Sequence, residues 1–78
     1  MTMQQQLGMR ISYLRKQVNW SQEELAFRSG IHKNYLSDLE NGRRNPSLLV
    51  LTRIAKAFNI SLSMLFKGLE IFDEKIGL

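Results

Sequence analysis

Apolar side chains recur three and four positions apart in five successive runs, each closed by a residue that interrupts a helix. Residues 3–17 put Leu7, Ile11, Leu14 and Val18 on one stripe, and Asn19 can end that helix in the left-handed conformation, less readily than glycine. In "SQEELAFRSG", Ser21 and Glu24 have the spacing of a capping box; the two-turn helix they start points Leu25 and Ala26 inward and stops before Gly30. A helix over 31–41 follows, with Ile31, Tyr35, Leu36 and Leu39 on its apolar face. Asn45 suits an N-cap and Pro46 a first helical position, which predicts a helix over 46–58 burying Leu48, Leu51, Ile54, Ala55 and Phe58. Ser61 caps a fifth, short helix through Lys67 that carries Leu62, Leu65 and Phe66. Trp20 reads as core or as a cover over the first two helices. No run reads as a strand. The pattern predicts an all-α fold, a compact bundle of five short helices, none long enough to be stable alone.

The third run is polar in an unusual way. At 100° per residue, Leu36 and Leu39 point inward while Asn34, Ser37, Asp38 and Asn41 cluster opposite them, with Lys33 at the edge and Arg43 and Arg44 just beyond. A solvated helix face favours Glu/Lys pairs four residues apart. Amides and hydroxyls are poorer helix formers, so a face made of them implies a use. In a DNA major groove, lysine reads guanine, asparagine pairs bidentately with adenine, and serine serves either. The second and third runs, joined by a three-residue turn containing Gly30, have the form of a helix-turn-helix. Ala26 lets the two helices cross closely, and Leu25, Ile31, Leu36 and Leu39 fill the wedge between them.

Charge supports a polyanionic partner. The 78 residues carry a net +4, with nine Lys/Arg against four Asp/Glu in residues 1–56 and two against three in residues 57–78. A single domain is the most a chain this short supports. The absence of cysteine excludes disulfides and thiolate metal sites. No apolar run approaches a membrane span, and the first residues lack the order of a secretion signal, so a cytoplasmic protein is expected. Glu23 and Glu24 sit in a first helical turn, where they complement the helix dipole and do not form a catalytic pair. His32 is the only histidine, which leaves a triad or metal cluster without partners. Neither an enzyme nor a cofactor or metal is expected.

The run "WSQEELAFRSGIHKNYLSDLENGRRNPSLLVLTRIAKAFNIS" resembles the phage-repressor-like (Cro/repressor type) helix-turn-helix domain of bacterial regulators, over roughly residues 7–67. The wording "HKNYLSDLENGRRNPS" on so short a chain looks most like the controller proteins of restriction–modification systems, small dimeric regulators of their own promoter region. The resemblance implies base reading by Lys33, Asn34, Ser37 and Asp38. It implies sugar–phosphate contacts from Ser21, Gln22, His32, Tyr35, Asn41, Arg43, Arg44 and Asn45, with Gln22 also bracing the recognition helix. Arg15 and Glu40 match a pair that links the first and third helices. Asp38 departs from the amide common there, and reads a cytosine amino group or repels phosphate; Asn19 replaces a usual glycine.

The end of the chain, "LFKGLEIFDEKIGL", is more apolar than a small bundle comfortably buries. The expected division is a DNA-binding domain over 1–68 and a tail over 69–78, with Leu62, Leu65, Phe66, Leu69 and Phe72 in a dimer interface. The alternative is a tail folded back onto its own core. Expected partners are double-stranded DNA, a second copy and RNA polymerase at a promoter, with no membrane and no small-molecule effector. A phage-type or toxin–antitoxin-type repressor, and a protein-interaction module that lost DNA binding, remain as other readings.

Overall fold

The computed structural model describes residues 1–69. The Thr2 hydroxyl accepts the Gln5 N–H at 3.1 Å and the Gln5 side chain accepts the Thr2 N–H at 2.9 Å, a full capping box that opens α1 (Met3–Gln17). Leu7 and Ile11 are buried and Leu14 is half-buried against them. Val18 was expected on this stripe but is 45% exposed, because the helix ends at Gln17 and the chain turns away at Asn19, φ +59°.

In α2 (Gln22–Ser29), Ser21 Oγ accepts the Glu24 N–H at 3.0 Å, which is half of the expected capping box. The Glu24 carboxylate instead accepts from Arg28 Nε at 2.7 Å, since a cation one turn along offers it a full charge. Gly30, φ +69°, closes α2 in the left-handed conformation, and the Ile31 N–H donates to the Ala26 carbonyl at 3.0 Å. The next helix, α3 (Lys33–Glu40), is shorter than the expected 31–41, with His32 and Asn41 as its caps. Leu25, Leu36 and Leu39 are fully enclosed, Ala26 is buried and Ile31 half-buried, so the wedge between α2 and α3 is filled as the pattern requires.

The helix α4 (Leu48–Phe58) starts two residues later than expected. Ser47, not Asn45, is its N-cap, accepting the Val50 N–H at 3.2 Å. Pro46 lines an apolar cleft with Leu51, Leu7 and Phe66. That places Pro46 before the cap and Leu51 in the fourth helical position, the two ends of a hydrophobic staple. Ile54 and Ala55 are buried, and Leu51 and Phe58 half-buried, but Leu48, at the first position of the helix, is 69% exposed because the helix meets the core only from Val50 onward.

Ser61 caps α5 (Leu62–Leu65), which ends sooner than Lys67. The Arg10 guanidinium on α1 donates to the carbonyls of Met64 at 2.8 Å and Leu65 at 3.2 Å, tying the end of α5 to α1. Trp20 packs against the core, as one of its two expected roles has it, and bridges α2 and α4: its ring stacks on Phe58, with centroids 5.5 Å apart and planes 9° from parallel, and Arg28 of α2 lies 4.3 Å from its centroid. Leu65 was expected in a dimer interface, but it is wholly enclosed in the core with Ile11 and Ile54, where it has no surface to offer a partner. Leu62, Phe66 and Leu69 are half-buried against that core. The expectation for Phe72, and for the tail from residue 70, lies outside the described residues. Among the described residues there are five helices and no strand.

Candidate nucleic-acid interface

The recognition surface begins with how α3 is held. Gly8 in α1 meets the end of α3 at backbone distance: a Cβ there would lie 2.6 Å from the Glu40 carbonyl oxygen and closer still to that of Leu39. Only glycine allows this crossing. Arg15, two turns along α1, adds charge to the same joint. Its Nε donates to Glu40 Oε2 at 2.8 Å and its Nη2 to Glu40 Oε1 at 3.0 Å, while Nη1 donates to the Trp20 carbonyl at 2.8 Å. The hydrogen bond to Glu40 raises the Arg15 pKa above its ordinary value, against burial, which lowers it. A raised arginine pKa means that this contribution is present at every working pH and fades only in strong alkali. Gln22, at the start of α2, donates to Glu40 Oε1 at 3.0 Å, so one carboxylate joins α1, α2 and α3.

With its apolar side fixed, α3 presents the polar one. Lys33 and Asn34 stand exposed in its first turn, and Ser37 and Asp38 lie partly exposed one turn later. His32 is exposed at the N-cap and makes no side-chain capping bond. Asn41 is exposed at the other end, its amide donating to the Ser37 carbonyl at 2.8 Å. Arg43, Arg44 and Asn45 follow, all exposed. Ser21 is exposed beside Gln22, with its hydroxyl engaged in the α2 cap. Tyr35 is half-buried, with the Arg44 guanidinium 5.1 Å from its ring centroid. The expected site residues therefore fall along α3, its two caps, the start of α2 and the loop after α3.

Glu40 is matched by Arg15, so the more open carboxylate of α3 is Asp38, which faces Arg43 and Arg44. Such a surface has the chemistry to attract an anion and carries amide, hydroxyl and ammonium groups of the kinds that pair with base edges. The described residues contain no group of three His, Cys, Asp or Glu placed to hold a metal, and no helix long and apolar enough to cross a membrane.

Sequence reasoning missed several residues. Arg10 and its hold on α5 carried no local signal, because its partners are carbonyls 54 and 55 positions away. Leu49, 60% exposed, and Phe27, 84% exposed, stand on the surface where an apolar count alone assigns them no place.

The model of the helix-turn-helix family matches residues 11–65, the stretch that holds all of this surface. The chain belongs to that family. It is similar to the competence pilus inhibition repressor of Acinetobacter baylyi, 39% identical over 69 residues, which make up 88% of this chain and 63% of that protein. It is also similar to the control protein C.MunI of a Mycoplasma species, 39% identical over 64 residues, covering 81% of this chain and 86% of that one. Among solved structures, the restriction-modification controller protein C.AhdI from Aeromonas hydrophila superposes with a TM-score of 0.79 at 38% identity, over 81% of this chain and 96% of that one. The protein is thus a helix-turn-helix regulator of transcription of the Cro/repressor type, with relatives named as restriction–modification control proteins.

Proposed function

We propose that this protein is a homodimeric controller of a restriction–modification system that binds a twofold-symmetric operator in its own promoter region. The observation that carries the reading is the exposed face of α3, amides and hydroxyl between Lys33 and the arginine pair, on a fold that superposes on a controller protein. Each subunit lays α3 in a major groove. Lys33, Asn34, Ser37 and Asp38 face base edges and confer sequence choice. Ser21, Gln22, His32, Tyr35, Asn41, Arg43, Arg44 and Asn45 meet the sugar–phosphate backbone and confer affinity that falls with salt. Regulation follows from occupying the promoter or meeting RNA polymerase there, in the cytoplasm, with no effector.

The dimer surface is best placed on the outer side of α4 and on α5. Leu48 and Leu49 are exposed, Thr52 continues the Leu48 side one turn on, and a hollow lined by Thr52, Lys56, Ile60 and Leu62 extends it. A twofold dimer sets the two copies of α3 one helical turn of DNA apart, about 34–36 Å. A repressor serving another circuit is the second reading, favoured by the likeness to the competence pilus inhibition repressor.

Footprinting on DNA upstream of the protein's own coding sequence tests this. Two protected patches about 10 base pairs apart, centre to centre, are the expected result. Protection absent there but present upstream of other genes favours the second reading, and no protection on any DNA leaves a protein-interaction module.

A further inference from the structure

The arginines that follow α3 do not point away from the protein. The Arg43 N–H donates to the Asp38 carbonyl at 2.9 Å, which folds the loop back over the last turn of the helix. Their side chains then converge on one carboxylate. Arg44 Nε lies 3.5 Å from Asp38 Oδ2, and Arg43 Nη1 lies 3.9 Å from Oδ1. The ring of Tyr35, under the Arg44 guanidinium, gives that side chain a second hold on α3. An acid on the base-facing side of the helix thus holds two cations suited to the DNA backbone.

We propose that Asp38 is a specificity-determining residue that couples base identity to phosphate binding. In the free protein its carboxylate masks Arg43 and Arg44. At a cytosine, whose N4 amino group is a donor in the major groove, the carboxylate exchanges the arginines for the base and both guanidiniums pass to phosphates. At a base that presents an acceptor there, a freed carboxylate would be desolvated without a donor, so it keeps its arginines and the phosphate contacts are weakened as well. One wrong base pair then costs more than one lost hydrogen bond.

The geometry suits exchange. The Arg43, Arg44 and Asp38 side chains are 72%, 50% and 36% exposed, so each pair is a weak surface contact that DNA can replace. The enclosed Arg15–Glu40 pair, 12% and 5% exposed, could not open this way. The inference rests on α3 being the groove-facing helix, and it adds to that reading by joining the loop to the base.

The test uses the intact protein as wild type, Asp38→Asn, Arg44→Gln and the double variant. Selection from random duplex DNA comes first, and the Asp38→Asn consensus should lose a C·G preference at one position of each half-site. Binding is then measured against salt on the selected operator, on the operator with that C·G changed to T·A, and on a random duplex. On the random duplex, Asp38→Asn should tighten binding by roughly twofold to fivefold for each arginine released. Arg44→Gln should weaken binding there by a smaller factor in the wild-type background, where Asp38 holds the guanidinium. In the Asp38→Asn background it should cost more and flatten the salt slope by about 0.9. An unchanged consensus, or strictly additive effects of the two substitutions on random DNA, overturns the coupling while leaving α3 as the reader. A wild type that selects no consensus overturns the reading of α3, and the coupling with it.

Discussion

Arg15→Ala is the substitution whose cost the structure fixes best. Glu40 is 5% exposed in its side chain and accepts three hydrogen bonds, two from Arg15 and one from Gln22. Removing the guanidinium leaves an enclosed carboxylate with a single neutral donor, and also strips the Trp20 carbonyl of its Arg15 partner. Breaking a buried pair from one side costs about 3–5 kcal/mol. A folded chain of this length has roughly 4–12 kcal/mol in total. With a urea slope of about 1 kcal/mol/M, the midpoint should fall by about 3 M or more. The control is Glu24→Gln, which breaks a pair of similar length, 2.7 Å, between side chains that are 42% and 49% exposed. That change should cost only about 0.3–0.5 kcal/mol.

The assay is urea unfolding followed by far-ultraviolet circular dichroism. A third variant separates charge from attraction. Arg15→Met with Glu40→Leu removes both ions and fills the space, so it should recover most of the stability lost in Arg15→Ala. Equal costs for Arg15→Ala and Glu24→Gln would refute the argument from burial. A double variant as unstable as the sum of the singles would refute the argument from the orphaned charge.

Four further outcomes follow from named residues. Gly8→Ala pushes a methyl group into the Leu39 and Glu40 carbonyls, and should lower stability by about 1–3 kcal/mol in the same unfolding assay, with weaker operator binding as α3 is displaced. Arg43→Ala should flatten the salt slope of operator binding by about 0.9; identical slopes would remove Arg43 from the phosphate contacts. Leu48→Asp should shift sedimentation toward monomer by roughly a hundredfold in the dimer dissociation constant, since symmetry places the buried charge there twice. Phe27→Ser, on α2 and away from the proposed interface, should leave association unchanged and stability within about 0.5 kcal/mol.

Much of this was legible in the sequence because the signals are local. Gly30 with the Ser21 cap marks α2 and the turn, and the 3.6-residue period of Leu36 and Leu39 fixes which side of α3 is free. The start of α4 was misplaced by two residues because Asn45 before the proline has the chemistry of a cap, as does Ser47 after it, which caps the helix. With Ser47 as cap, Pro46 and Leu51 take the two staple positions and line one cleft with Leu7 and Phe66, which come from distant parts of the chain. Leu65 could not be told from Leu62 or Phe66 by periodicity, since Leu62 and Leu65 are the two ends of a one-turn helix and Phe66 is its C-cap; only the closure of the bundle encloses Leu65. The site residues were readable as types on a face, but the gathering of Arg43 and Arg44 around Asp38 was not, because helical periodicity says nothing of the path the chain takes after Asn41, where Gly42 turns at φ +74°.

The central claim is that α3 reads DNA sequence as part of a symmetric dimer. Selection from random duplex DNA, run in parallel on the wild type and Asn34→Ala, tests it most directly. The account predicts a twofold-symmetric consensus with half-sites one helical turn apart, and in the variant a loss of discrimination at one base pair per half-site. A consensus that Asn34→Ala leaves intact, or none from either protein, would contradict it.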